Sequence, residues 1–261
     1  MTEQHIVRFR FYEELNDFLP SKYRKRSFAY VFKPHQTVKD AVEALGVPHT
    51  EVDLIIADGI SVGFDYRLRR NDYISVYPVF ETLDITNLVR LRPKPLRRTK
   101  FIADVHLGKL SRYLRLLGFD TFYQNDMDDD EIIQIAAKQK RIILTRDTGL
   151  LKNGRVTHGY RIRSQIPEAQ IREVIERFQL HNLIKPFHRC TVCNGLIIKT
   201  EKKEIEHLLE PNTKRHFQDF YRCNQCQRIY WEGSHFDRMN DFIEKLTGKR
   251  NRSRTGISGR D

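Results

Sequence analysis

The feature that most constrains this chain is its cysteine spacing: the four cysteines fall as Cys190-x-x-Cys193 and Cys223-x-x-Cys226. Two such knuckles supply four thiolates, the donor set that tetrahedral zinc takes in a structural site. The 29 residues between the knuckles exceed the commonest spacing, so a helical insertion is expected, and Glu201 to Leu209 suits it. The rival readings are two disulfides or a redox pair. Against them, the opening Met-Thr-Glu-Gln-His-Ile lacks the apolar stretch of a secretory signal, and no cysteine is left over. A complete thiolate set leaves no open coordination position, so Zn2+ here is expected to serve folding rather than catalysis. The expected module is a zinc ribbon over residues 183–245.

A chain of 261 residues exceeds the usual size of one domain, and two or three are expected. No apolar run approaches the roughly 20 residues of a membrane span, and with no signal peptide a cytoplasmic address is expected. Net charge is +12, unevenly spread: residues 1–96 hold 14 Lys and Arg against 13 Asp and Glu, the remaining 165 hold 32 against 21. A cationic excess in one portion favours a polyanionic partner, because neutralised phosphates release counterions. Nucleic acid is the leading candidate for the second portion, and a solvated basic surface without a partner is the alternative.

The first 80 residues read as strands with one helix. His5 to Phe11 alternates polar and apolar residues, the period of a half-buried strand, and Phe28 to Phe32 is a second candidate. Thr37 is a good N-cap for a helix carrying Val38, Ala41, Val42 and Leu45, closed by Gly46. Leu54 to Ala57 runs into an Asp58-Gly59 turn, and Tyr73 to Tyr77 is a last strand ended by Pro78. Residues 87–100, with two prolines and six Lys or Arg, read as an exposed basic linker, and residues 246–261 as a disordered basic tail.

From Phe101 the pattern becomes alternating strand and helix, which argues for a parallel α/β sheet. Phe101 to Ala103 is a strand ending at Asp104, and Leu107, Leu110, Leu114 and Leu117 form a helical stripe closed by Gly118. Lys109, Arg112 and Arg115 fall three apart on another face, a basic strip beside Asp104. Five carboxylates crowd Asp126 to Glu131 ahead of a further helix, and Arg141 to Thr145 is a strand followed by Arg146 and Asp147. Part of the acidic run is plain capping. Ligands of open α/β sheets bind outside the carboxyl ends of the strands, and three convergent carboxylates there suit Mg2+ or Mn2+. The alternative for each acid is that it only caps a helix or satisfies a loop amide.

Two resemblances follow from these residues. The stretch Ile56-Ala57-Asp58-Gly59, Val62 and Leu68 to Pro78 resembles a ubiquitin-like β-grasp of the sulfur-carrier type (ThiS/MoaD type). Such carriers end in a free Gly-Gly, whereas this chain continues through Val79-Phe80-Glu81, so a module that binds a protein partner is the better expectation. The string Phe101-Ile-Ala-Asp-Val-His-Leu-Gly-Lys-Leu-Ser-Arg-Tyr-Leu-Arg-Leu-Leu-Gly-Phe-Asp-Thr121 and Arg141-Ile-Ile-Leu-Thr-Arg-Asp147 resemble the Mut-seven C-terminal RNase domain family, a branch of the PIN-like nucleases. The likeness continues through Arg189 to Leu196 and Tyr221 to His235.

The family resemblance implies a metal-dependent ribonuclease of PIN-like fold fused to a zinc ribbon. By motif, Asp104, Asp130 and Asp147 become its metal-binding carboxylates, with Asp129 as substitute for Asp130; apart from the motif, the basic strip of Lys109, Arg112 and Arg115, with Arg146, is expected to hold RNA. No acid occurs from Thr148 to Gln165, where a fourth carboxylate is sought, so a non-catalytic RNA- or ribosome-binding adaptor is the alternative. Around the cysteines, Arg189, Arg222, Arg228, Tyr221, Tyr230 and Trp231 interleave cations with aromatics, which suits single-stranded RNA. For Tyr230 and Trp231, packing over the metal core is the competing reading. The expected architecture is α/β and α+β multidomain: a β-grasp over 1–86, the linker 87–100, a PIN-like domain over 101–182, the ribbon and the tail.

Overall fold

A computed structural model of the chain describes residues 5–78 and 99–248. Most of the expected linker 87–100 and of the tail 246–261 lies outside the described residues.

The N-terminal part is a β-grasp-like domain. Strands β1 (Ile6–Phe11) and β2 (Phe28–Val31) precede helix α1 (Val38–Ala44), which is followed by β3 (Leu54–Ala57), β4 (Ile60–Val62) and β5 (Tyr73–Tyr77). Their sheet runs β2-β1-β5-β3-β4. Only β1 and β5 are parallel, Phe9 opposite Ile74; the remaining pairs are antiparallel. The alternation read in β1 turns Val7, Phe9 and Phe11 into the core, where each is at most 1% exposed. Burying a side chain of this size stabilises by roughly 2 kcal/mol. Helix α1 lays Val38, Ala41 and Val42 into the same cluster, and starts with a capping box in which Thr37 Oγ1 accepts from Asp40 N at 3.2 Å. Strand β4 is too short to be marked by a sequence period: its three residues are exposed or half-buried.

The central part alternates strand and helix. In chain order it contains β6 (Lys100–Ala103), α2 (Gly108–Leu116), β7 (Asp120–Phe122), α3 (Asp129–Gln139), β8 (Ile142–Thr145), α4 (Thr148–Lys152), β9 (Gly159–Arg161) and α5 (Pro167–Arg177). β7 pairs in parallel with β6, and β9 in parallel with β8. Phe101 to Ala103 and Ile142 to Thr145 are buried at every position, as strands covered on both faces are. The predicted Leu107, Leu110, Leu114 and Leu117 stripe is at most 1% exposed. Past α2, Gly118 has φ +93°, and a Cβ there would lie 2.2 Å from Lys185 O, so only glycine lets residues 185–187 pair with the end of the helix.

The C-terminal part is a three-stranded antiparallel sheet of β10 (Ile197–Thr200), β11 (Phe220–Cys223) and β12 (Ile229–Trp231), in that order. The insertion between β10 and β11 is helical, as expected, with α6 (Lys202–Ile205) and α7 (Pro211–His216). Helix α8 (Ser234–Thr247) is the last element among the described residues and includes two positions of the expected tail. Its Phe236, Met239, Ile243 and Leu246 recur at spacings of three and four, a helical signal present in the sequence.

Two compact units emerge, each built from two pieces of chain: residues 1–98 with 128–161, and 99–127 with 162–261. In the first, the buried Glu51 carboxylate accepts from Arg161 N at 2.7 Å, and His49 Nε2 meets Val156 O at 2.8 Å. In the second, α2 and α5 pack together, and Phe101 meets Phe178 edge-on at 5.4 Å.

Candidate metal centre and carboxylate positions

Each cysteine knuckle is a tight backbone reversal. In the first, Cys190 N donates to Gly195 O at 2.8 Å and Asn194, at φ +70°, donates its N–H back to Cys190 O at 2.9 Å. The second follows β11: Cys223 N bonds to Arg228 O and Gln227 N to Cys223 O. Asn224 ties the two together, its N–H donating to Leu196 O and its Oδ1 accepting from Leu196 N.

The result brings all four sulfurs within 4.8 Å of one another. Cys190 Sγ lies 3.6 Å from Cys226 Sγ, and Cys193 Sγ lies 3.3 Å from Cys223 Sγ. These separations are far beyond a disulfide bond of about 2.05 Å. They approach the roughly 3.8 Å between sulfurs on a tetrahedral zinc with bonds of about 2.3 Å. The four cysteines therefore cluster in position to bind a metal such as zinc. Backbone N–H groups support the sulfurs: Cys193 N donates to Cys190 Sγ and Gln225 N to Cys223 Sγ, each at 3.4 Å. Tyr230 Oη donates to Cys190 Sγ at 3.0 Å. Burial, the largest single influence, pushes the Cys190 thiol up, but the hydrogen bonds from Tyr230 and from nearby backbone outweigh it and hold the group down at about 6. Tyr230 itself is raised, first by burial and then by its bond to Cys190. Gly195 completes the knuckle, since a Cβ at that position would lie 2.7 Å from Cys223 Sγ.

A polar network carries the first knuckle onto β7 and α2. Asn194 Oδ1 accepts from Thr121 N at 3.0 Å while its Nδ2 donates to Asp120 Oδ1 at 2.8 Å. Arg189 Nη1 donates to Asn194 O at 2.8 Å and Nη2 faces Asp120 Oδ2 at 3.5 Å. Arg115 donates from Nε to Thr121 O at 2.9 Å and from Nη1 to Val192 O at 2.8 Å and Thr191 O at 3.3 Å. Its side chain is buried, and burial lowers its pKa. The basic strip expected on α2 is therefore shorter: Lys109 and Arg112 are exposed, and Arg115 is a structural clamp instead of an RNA contact. No spacing in the sequence marks Asn194 and Arg189 as clamps; the Asn194-Gly195 pair is a turn signal at that position.

The carboxylates divide by environment. Asp104 follows β6 directly and is buried, at 6% exposure. Asp147 is exposed, two residues past β8, and caps α4: its Oδ1 accepts from Gly149 N at 2.7 Å. Asp128 and Glu131 form the capping box of α3, Glu131 N donating to Asp128 Oδ1 at 2.8 Å. Asp130, in the first turn of that helix, pairs with Arg155, while Asp129 and Arg146 are exposed. Asp104 belongs to one compact unit, Asp130 and Asp147 to the other. Among the described residues, the cysteines are the group of three or more ligands found close together.

The sequence model of the Mut7-C RNAse domain matches residues 99–243, more than half of the chain. The chain belongs to the Mut7-C RNAse domain family. A second model, of the Mut7-C ubiquitin domain, matches residues 4–84 and covers the β-grasp-like part of this Mut7-C chain. Among solved structures, the small archaeal modifier protein 1 of H. volcanii is similar at 13% identity and a TM-score of 0.24, over 29% of this chain and 98% of that one. None of the curated proteins compared with the Mut7-C chain matches it in sequence. No helix among its described residues is long and apolar enough to cross a membrane.

Proposed function

We propose that this chain is a metal-dependent ribonuclease that hydrolyses RNA phosphodiester bonds, with zinc held by Cys190, Cys193, Cys223 and Cys226 for structure alone. The observation that carries the reading is the Mut7-C RNAse match across residues 99–243. The donor chemistry supports it: Asp104, Asp130 and Asp147, with Asp129 as substitute, offer the hard oxygen ligands that Mg2+ or Mn2+ takes. Such a cation, when bound, supplies activation of water and charge neutralisation at phosphorus. The chain's own contribution is to hold the substrate: Lys109, Arg112 and Arg146, all exposed, take backbone phosphates. The β-grasp domain serves as the docking module for a protein partner.

A second reading, a non-catalytic RNA- or ribosome-binding adaptor, is favoured by two contacts. Asp147 is already used as a helix cap and Asp130 as the partner of Arg155. The deciding assay incubates the full chain with 5′-labelled single-stranded and structured RNAs, with and without manganese, beside an Asp104→Asn/Asp147→Asn variant. Asparagine preserves the acceptor that caps α4, so a loss cannot be blamed on that helix. Cleavage is expected to need manganese and to fall about a hundredfold or more in the variant, with RNA affinity within about twofold. Binding by both proteins with cleavage by neither establishes the adaptor.

A further inference from the structure

Beside the cysteine cluster, between β12, the 186–187 turn and the start of α8, lies a cavity of about 330 Å3. Its size is at the low end of small-ligand sites and suits one planar ring system with its sugar, not a partner's helix. Its wall is aromatic: Phe187 and Phe236 pack at 4.4 Å between ring centroids, and Trp231, 39% exposed, lies nearby in the lining. Its polar lining includes two arginines and Glu232. Arg228 is exposed, and no side-chain partner is found for it among the described residues. Arg189 uses Nη1 and Nη2 on Asn194 and Asp120, yet its buried Nε–H has no hydrogen-bond partner. Cationic edges around an aromatic wall, in the portion of the chain that holds the charge excess, complement an anion with a π-face.

We propose that this cavity seats a single unpaired base of an RNA strand, with Trp231 as the stacking surface and Arg228 on the adjoining phosphate. The inference rests on the ribonuclease reading for its choice of RNA as ligand. A base withdrawn from a duplex exposes both faces to aromatic contact, and stacking of this kind tolerates any sequence. The seat therefore selects single strands over duplexes.

Trp231 is the only tryptophan, so its emission reports on this cavity without interference from another indole. The zinc-loaded full chain is titrated with a six-nucleotide single-stranded RNA, with the same sequence as a duplex, and with heparin as a charge-only polyanion, all without added magnesium or manganese. Anisotropy of labelled RNA gives affinity in parallel. Saturable quenching by the single strand and little by duplex or heparin is expected. Trp231→Ala should lower single-strand affinity about tenfold and Trp231→Phe by under about threefold. Arg228→Ala should lower it about fivefold and reduce the salt slope by about one. Zinc content of each variant verifies the fold. Bound RNA with unchanged emission, equal quenching by heparin, or Trp231→Ala binding like the parent would overturn the seat. So would emission that shifts with protein concentration alone, which marks a second copy in the cavity. A manganese-dependent cleavage assay separates the two readings: cleavage without quenching removes only the base seat, and quenching without cleavage removes only the hydrolytic function.

Discussion

Arg115 shows how far a spacing rule reaches. Residues three apart on an α-helix step back by about 60° each time, so Arg115 lies about 120° round the axis from Lys109. That turn takes it from the exposed side into the carbonyls of Thr121, Thr191 and Val192. The leucine stripe was legible because its spacings alternate three and four and stay on one face; the cationic strip was legible only for its first two members. Arg115→Ala strands those acceptors, the Thr121 carbonyl inside the protein, and should cost about 3 kcal/mol in denaturant unfolding of the zinc-loaded chain. Gly195 makes a second residue-scale case. With a Cβ only 2.7 Å from Cys223 Sγ, Gly195→Ala must displace a thiolate. Zinc affinity, followed by transfer to a colorimetric chelator, should drop at least about tenfold.

At the scale of elements, capping decides what the acidic run before α3 is for. Asp128 and Glu131 form a reciprocal box, so two of the five carboxylates are spent on the helix start. Asp128→Ala should cost about 1 kcal/mol in thermal or chemical unfolding and leave RNA cleavage unchanged, which separates capping from metal binding within one run of acids. The strands β1, β2, β3 and β5 and helix α1 were readable to within a residue or so, because each couples a clean period to a turn or cap signal. Strand β4 and the short helical turn His49–Glu51 were not, since each has three residues, too few to establish a period. The cysteine cluster was fully legible, as ligand spacing is a local code. The state of the carboxylates was not: whether Asp147 caps α4 or Asp130 meets Arg155 depends on residues brought together by the fold.

For the whole molecule, the informative contact is Glu51 with Arg161, separated by 110 positions in the chain. No sequence period announces a buried carboxylate that waits for a backbone N–H so far downstream. Glu51→Ala leaves that N–H unpaired and should cost about 2–3 kcal/mol, whereas Glu51→Gln, which retains an acceptor, should cost less than half as much. Hydrogen exchange should show the loss in both β-grasp strands and β8–β9, since they belong to one unit.

That interleaving sets an order of assembly on the ribosome. The first compact unit lacks its second piece until residue 161 has been made, and the second, begun at residue 99, waits for residues beyond 161. A nascent β-grasp leaves the exit tunnel with Glu51 still lacking Arg161, so the first part of the chain to be made is not the first to gain its final partners. Cutting the gene at the end of the ubiquitin-like match would yield a fragment whose buried acid faces water, and a remainder deprived of the surface on which residues 128–161 fold.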